Sequence, residues 1–151
     1  MAKVKLNDIL DGIEASSGEN FAILSRQTGE VEILTEDIMA YEDDAEQDIP
    51  EWARDSVKIA IDYEKNPDAY LLLPEQYDVD EYRMMKNFAY SLTDENHTDK
   101  LLTCISGKGA FRLFKIMVQE LGIADSWYAY RDEQYKQFAK QWCEDNELPY
   151  A

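Results

Sequence analysis

Gly107-Lys108-Gly109-Ala110-Phe111-Arg112-Leu113-Phe114-Lys115-Ile116-Met117-Val118-Gln119-Glu120-Leu121-Gly122 is the stretch on which the fold class turns. Ala110, Leu113, Phe114, Met117 and Leu121 recur at three- and four-residue spacing. At 3.6 residues per turn they share one side of an α-helix. Lys108, Arg112, Lys115 and Gln119 take the other side, the three cations within about 60° of one another. Gly107 and Gly109 let the backbone turn sharply ahead of the helix, and Gly122 supplies its stop. The pattern predicts a helix that locks its greasy side into a core and turns its cations outward.

Neighbouring segments follow the same helical period. Trp127, Tyr128 and Tyr130 lead into a last helix carrying Tyr135, Phe138, Ala139 and Trp142. Upstream, Leu101, Leu102 and Ile105 follow Thr98, a predicted N-cap. Val79, Tyr82, Met85, Phe88 and Leu92 make the stripe of a further helix. Another opens at Pro50, shows Trp52, Ile59, Ala60 and Tyr63 as its apolar face, and ends at Asn66-Pro67-Asp68. Ile9, Leu10 and Ile13 fit a short first helix that closes before Ser16-Ser17-Gly18.

Strand signals are fewer. Phe21–Ser25 and Glu30–Leu34 flank Arg26-Gln27-Thr28-Gly29, which reads as a hairpin loop. Glu30, Val31, Glu32 and Ile33 alternate, which predicts a strand with one wet face. Ala69–Leu73 is a short apolar run stopped by Pro74 and reads as a third strand, more buried than the hairpin. The expected architecture is α+β and helix-dominated. A small antiparallel sheet, the hairpin plus one further strand, is covered by several helices in a single domain over residues 1–151.

Composition narrows the class. The 151 residues hold 32 acids and 15 bases, a net charge of -17. A field of that sign repels nucleic acid and anionic membrane, and favours a basic protein as any charged partner. Residues 27–53 hold ten acids and no base. Their centre, Tyr41 to Asp48, reads as a solvated loop or a poor helix, with Glu42, Asp43, Asp44 and Glu46 as candidate contacts for such a partner. The first residues lack an apolar signal core, and no run reaches the ~18 apolar residues that span a bilayer. Cys104 and Cys143 have no metal spacing and read as buried free thiols of a reducing cytoplasm.

No catalytic constellation stands out, so the expectation is a non-enzymatic protein with no cofactor and no metal. His97, the one histidine, lies in a polar turn where nothing marks a nucleophile or an orienting acid. The Tyr41 stretch lacks the glycine of a Ca²⁺ loop. Lys108 is followed by Gly109 rather than Ser or Thr, which departs from a phosphate-binding Walker loop. A helix start nevertheless offers amide donors and a positive dipole end to an anion, and Arg112 can hold a phosphate or carboxylate by two prongs. Gly107, Lys108, Gly109, Arg112, Lys115, Trp127 and Tyr128 are therefore the candidate ligand-binding residues. The alternative at each position is packing: the bases pair with the protein's own carboxylates and the aromatics anchor a loop.

The Gly107–Lys115 block, followed by Gly122 and Trp127-Tyr128, resembles the signature of a bacterial uncharacterised protein family numbered 0158. Val4-Lys5-Leu6-Asn7-Asp8-Ile9, Thr28-Gly29-Glu30-Val31, Leu73-Pro74 and Met84-Met85-Lys86-Asn87-Phe88 are similar to that family too. The resemblance implies a bacterial cytoplasmic protein of one domain. It places Lys108, Phe111, Arg112, Phe114, Trp127 and Tyr128 in the family's block and assigns them no role. Three functions follow in order of expectation: an interaction or regulatory protein that meets a basic partner, a site for a small anion or phosphorylated ligand at Gly107–Lys115, and single-stranded nucleic-acid binding.

Overall fold

The computed structural model describes residues 3–41 and 48–151, which form two compact units. The candidate acidic contacts Glu42, Asp43, Asp44 and Glu46 lie outside the described residues. The fold is α+β and helix-dominated, as the periodicity predicts.

The first unit comprises residues 1–79 and 138–151. Its elements are α1 (Leu6–Ala15), β1 (Phe21–Ser25), β2 (Val31–Leu34), α2 (Glu36–Met39), α3 (Arg54–Lys65) and β3 (Tyr70–Leu72). The sheet is antiparallel with β1 at its centre, in the order β2-β1-β3. Phe21 pairs with Leu34, and Ile23 with both Glu32 and Leu72. Ala22, Ile23 and Leu24 are fully buried because the central strand has a neighbour on each edge and helices against it. α1 packs on the hairpin through Gly12, where an added Cβ would stand 2.6 Å from Leu73 and 3.2 Å from both Ala22 and Val31. A glycine is needed there for close approach. α3 joins Val57 and Ala60 to Ile23, Leu34, Ile38, Ile49 and Ala53 in one core cluster. Its Ser56 hydroxyl donates to the Glu32 carboxylate at 2.5 Å.

The first unit departs from expectation in three places. β3 is an edge strand and is less buried than the hairpin, with Leu72 exposed. On β2 the wet side chain is Ile33, whereas Glu32 is half-buried against Ser56. Trp52 belongs to no apolar face: it sits in a 3-10 turn, Glu51–Ala53, ahead of α3, and points to solvent.

The second unit, Asp80–Gln137, holds α4 (Glu81–Ser91), α5 (Glu95–Cys104), α6 (Ala110–Glu120) and the first part of α7 (Ala124–Asp145). Phe88, Phe114 and Trp127 meet edge-to-face with centroids 4.8 to 6.4 Å apart, a favoured arrangement of aromatic quadrupoles. Met85, Ala89, Leu101, Ile105 and Val118 complete that core. The N-cap of α5 is Asp94, which accepts from the amides of Asn96 and His97. Thr98 instead lies inside the helix and donates its hydroxyl to the Ala89 carbonyl at 2.7 Å, tying α5 to α4. Tyr82 and Leu113, both predicted to face the core, are exposed. Among the described residues no helix is long and apolar enough to cross a membrane.

Candidate functional site

Gly109 stands before α6 with φ +74°, a left-handed conformation that a side chain would strain. The first amide with an intrahelical partner is that of Leu113, bonded to the Gly109 carbonyl at 2.9 Å. No side chain caps this helix and its first turn carries no acid. Every other α-helix among the described residues has an acid in its first turn: Asp8, Glu36 with Asp37, Asp55, Glu81, Glu95 and Asp125. An acid there complements the positive end of the helix dipole. A cation opposes it, at a cost of about 0.3–1 kcal/mol. α6 therefore starts with the wrong charge for its own stability, in a chain that has acids to spare.

Lys108, Arg112 and Lys115 are exposed, and none pairs with a carboxylate among the described residues. Arg112 and Lys115, three apart, share the outward side of the helix. Phe111, Leu113 and Ile116 are exposed on the same helix, Phe111 by 56%. The outward surface of α6 is thus cationic and apolar at once. Its other side buries Phe114 and Val118.

The remaining candidates separate. Tyr128 is exposed, one turn into α7. Trp127 is only 4% exposed and packs between Phe88 and Phe114, so its contribution is to the core. Gly107 and Gly109 are exposed and shape the turn. His97 is half-buried with Nε2 3.4 Å from Asp94, in a capping arrangement. Burial pushes the thiols of Cys104 and Cys143 up from their ordinary value, with the carboxylates of Glu120 and Glu144 adding to the shift. A shift in that direction disfavours the nucleophilic thiolate. Among the described residues no group of His, Cys, Asp and Glu is arranged to hold a metal ion.

One polar cluster was not legible beforehand. Arg131 donates to Glu81 at 2.8 Å and lies 4.5 Å over the ring of Tyr135, whose hydroxyl also donates to Glu81. Glu81 and Tyr135 are 54 residues apart, so no local pattern pairs them. Arg131 is the counter-example to Arg112: this cation is committed inside its own unit.

A family model matches residues 31–151. The chain belongs to the Uncharacterised protein family (UPF0158). The matched range includes the Gly107–Lys115 block and Trp127-Tyr128. Val4–Ile9 and Thr28-Gly29-Glu30, read above as similar to the family, lie before the matched range. No curated protein and no solved structure matches the chain.

Proposed function

We propose that this member of the family is a non-enzymatic interaction protein of the bacterial cytoplasm, and that the outward surface of α6 recognises an acidic protein segment bearing apolar side chains. The observation that carries the reading is the cationic start of α6, where Lys108 and Arg112 oppose the helix dipole, Lys115 follows one turn on, and none of the three has a carboxylate partner among the described residues. An arriving carboxylate relieves that repulsion, meets free amide donors and forms charge-assisted bonds with Arg112. Phe111, Leu113 and Ile116 beside the cations favour an extended partner over a small ion, since a phosphate has nothing to offer an exposed side of apolar carbon.

The local charge balance supports this reading. The whole chain carries -17, but residues 80–137 hold nine acids against eight bases, so this unit is nearly neutral. Screening over about 8 Å at physiological salt lets its local cations act on their own.

Fluorescence anisotropy with a labelled synthetic peptide of alternating glutamate and leucine tests the reading. Arg112→Ala with Lys115→Ala should weaken binding at least ~tenfold, and Phe111→Ser severalfold with unchanged charge. Binding should fall as salt rises. Equal affinity of all variants removes α6 from recognition. If inorganic phosphate alone raises the Tm and Arg112→Ala abolishes the rise, the ligand is a small anion. Tighter binding of a single-stranded oligonucleotide, with a steep salt slope, assigns the surface to nucleic acid.

A further inference from the structure

Trp52 is the most exposed large apolar side chain among the described residues, at 77%. Tryptophan is highly buried on average, so an indole held in water needs a reason. Looseness of the turn is not that reason. Ala53, next to it, is fully buried, and Ile49, three residues before, is nearly so; both belong to the core cluster with Ile23 and Leu34. The Ala53 amide bonds the Pro50 carbonyl at 3.0 Å, and Pro50 fixes its own φ. Two buried anchors and a proline therefore hold the backbone from which the indole projects.

The exposed charges of this segment are mostly acidic. Asp48, Glu51 and Asp55 are exposed on the same short segment, with Arg54 as its single base. The unit to which it belongs carries 23 acids against seven bases. An indole face attracts cations, arginine most often, and carboxylates at its rim accept guanidinium in a two-pronged fashion. Tryptophan on a rigid support is also among the residues that dominate binding energy at protein interfaces.

We infer that Trp52, flanked by Asp48, Glu51 and Asp55, is the anchor of a second docking surface, and that its occupant is an arginine-rich segment of a partner protein. The indole takes a guanidinium on its face, and the carboxylates take the flanking cations. The acidic field of the unit draws such a segment in and raises its association rate. This surface is independent of α6: it has the opposite charge and lies in the other unit.

Isothermal titration of the full chain with a synthetic arginine- and glycine-rich peptide tests it. Trp52→Ala leaves the net charge untouched, so any acidic protein's general attraction for the peptide is held constant. The expected result is a loss of about tenfold in affinity. Trp52→Tyr should recover part of that loss, which separates ring recognition from damage to the turn. Arg112→Ala with Lys115→Ala should not weaken the arginine peptide's binding, so failure here and failure at α6 are distinguishable. Equal affinity of wild type and Trp52→Ala overturns the inference. So does concentration-dependent self-association that Trp52→Ala abolishes, which would give the indole to a second copy of the chain.

Discussion

The sheet-bearing unit and the helical unit handle charge in opposite ways. Residues 1–79 with 138–151 carry 23 acids and seven bases, whereas residues 80–137 carry nine and eight. The net figure of -17 therefore describes one unit and misdescribes the other. Their exposed apolar side chains differ in the same sense. Trp52 stands among carboxylates, and Phe111, Leu113 and Ile116 stand among Lys108, Arg112 and Lys115. The whole-chain charge, taken alone, disfavours anionic partners everywhere. Resolved by unit, it disfavours them only where the acids are.

The contrast extends to how each unit is held together, and there it can be broken most sharply. The helical unit rests on the rings of Phe88, Phe114 and Trp127. Phe114→Ala should cost about 3–5 kcal/mol in urea unfolding, the largest effect in the molecule. A loss under ~1 kcal/mol would mean the ring cluster is not what holds that unit. The sheet-bearing unit rests instead on close backbone approach at Gly12. Gly12→Ala forces a methyl into Leu73, itself buried, and should cost about 1–3 kcal/mol by overpacking. An unchanged Tm would show that Leu73 has room to move.

At the surface the expected effects are smaller and separate stability from binding. Arg112→Glu should leave the unfolding free energy unchanged or raise it by about 0.3–1 kcal/mol, because an acid in the first turn suits the helix dipole. The same variant should lose the acidic peptide. Destabilisation instead would show that Arg112 has a structural partner, and the contrast with Arg131 would fall.

The smallest effect is a pH signature confined to the sheet-bearing unit. The Tyr70 hydroxyl donates to Asp62 at 2.5 Å, and Asn66 donates to the same carboxylate at 2.9 Å. The bond to Asp62, with burial adding, holds Tyr70 up at about 12, and these two bonds hold Asp62 below the usual carboxylate range. A raised tyrosine contributes stability below its ordinary value of 10, and that contribution is lost as pH rises toward about 12. A lowered carboxylate contributes above its ordinary range and loses the contribution as pH falls through its folded value. Tyr70→Phe should therefore be slightly less stable than wild type at neutral pH, and the difference should shrink toward both extremes. A pH-independent difference in thermal melts would assign the loss to packing alone.

Much of the fold was legible because its signals are local. The period of Ala110, Phe114, Met117 and Leu121, the glycines on either side, and the Thr28-Gly29 turn act within a few residues, so α6 and the hairpin emerge with nearly their observed bounds. The exposed cations of α6 were legible for the same reason: Arg112 and Lys115 follow from helical spacing, whereas Lys108 precedes Gly109 and lies outside the helix. Exposure was the less legible part. Tyr82 and Leu113 fit apolar stripes and yet face water, because a stripe is wider than the contact a neighbouring helix makes with it, whereas Trp52 faces water from a 3-10 turn ahead of its helix. Trp127, by contrast, was drawn into the core by Phe88 and Phe114, one of them 39 residues away.

By itself the sequence determined which segments become helix or strand, and that cations gather at the start of α6, since backbone geometry and side-chain spacing are short-range. Only the tertiary structure decided which aromatics stay wet, which cation is tied to Glu81 and which strand sits at the centre of the sheet. Those outcomes depend on residues distant in the chain competing for the same buried volume and the same hydrogen bonds.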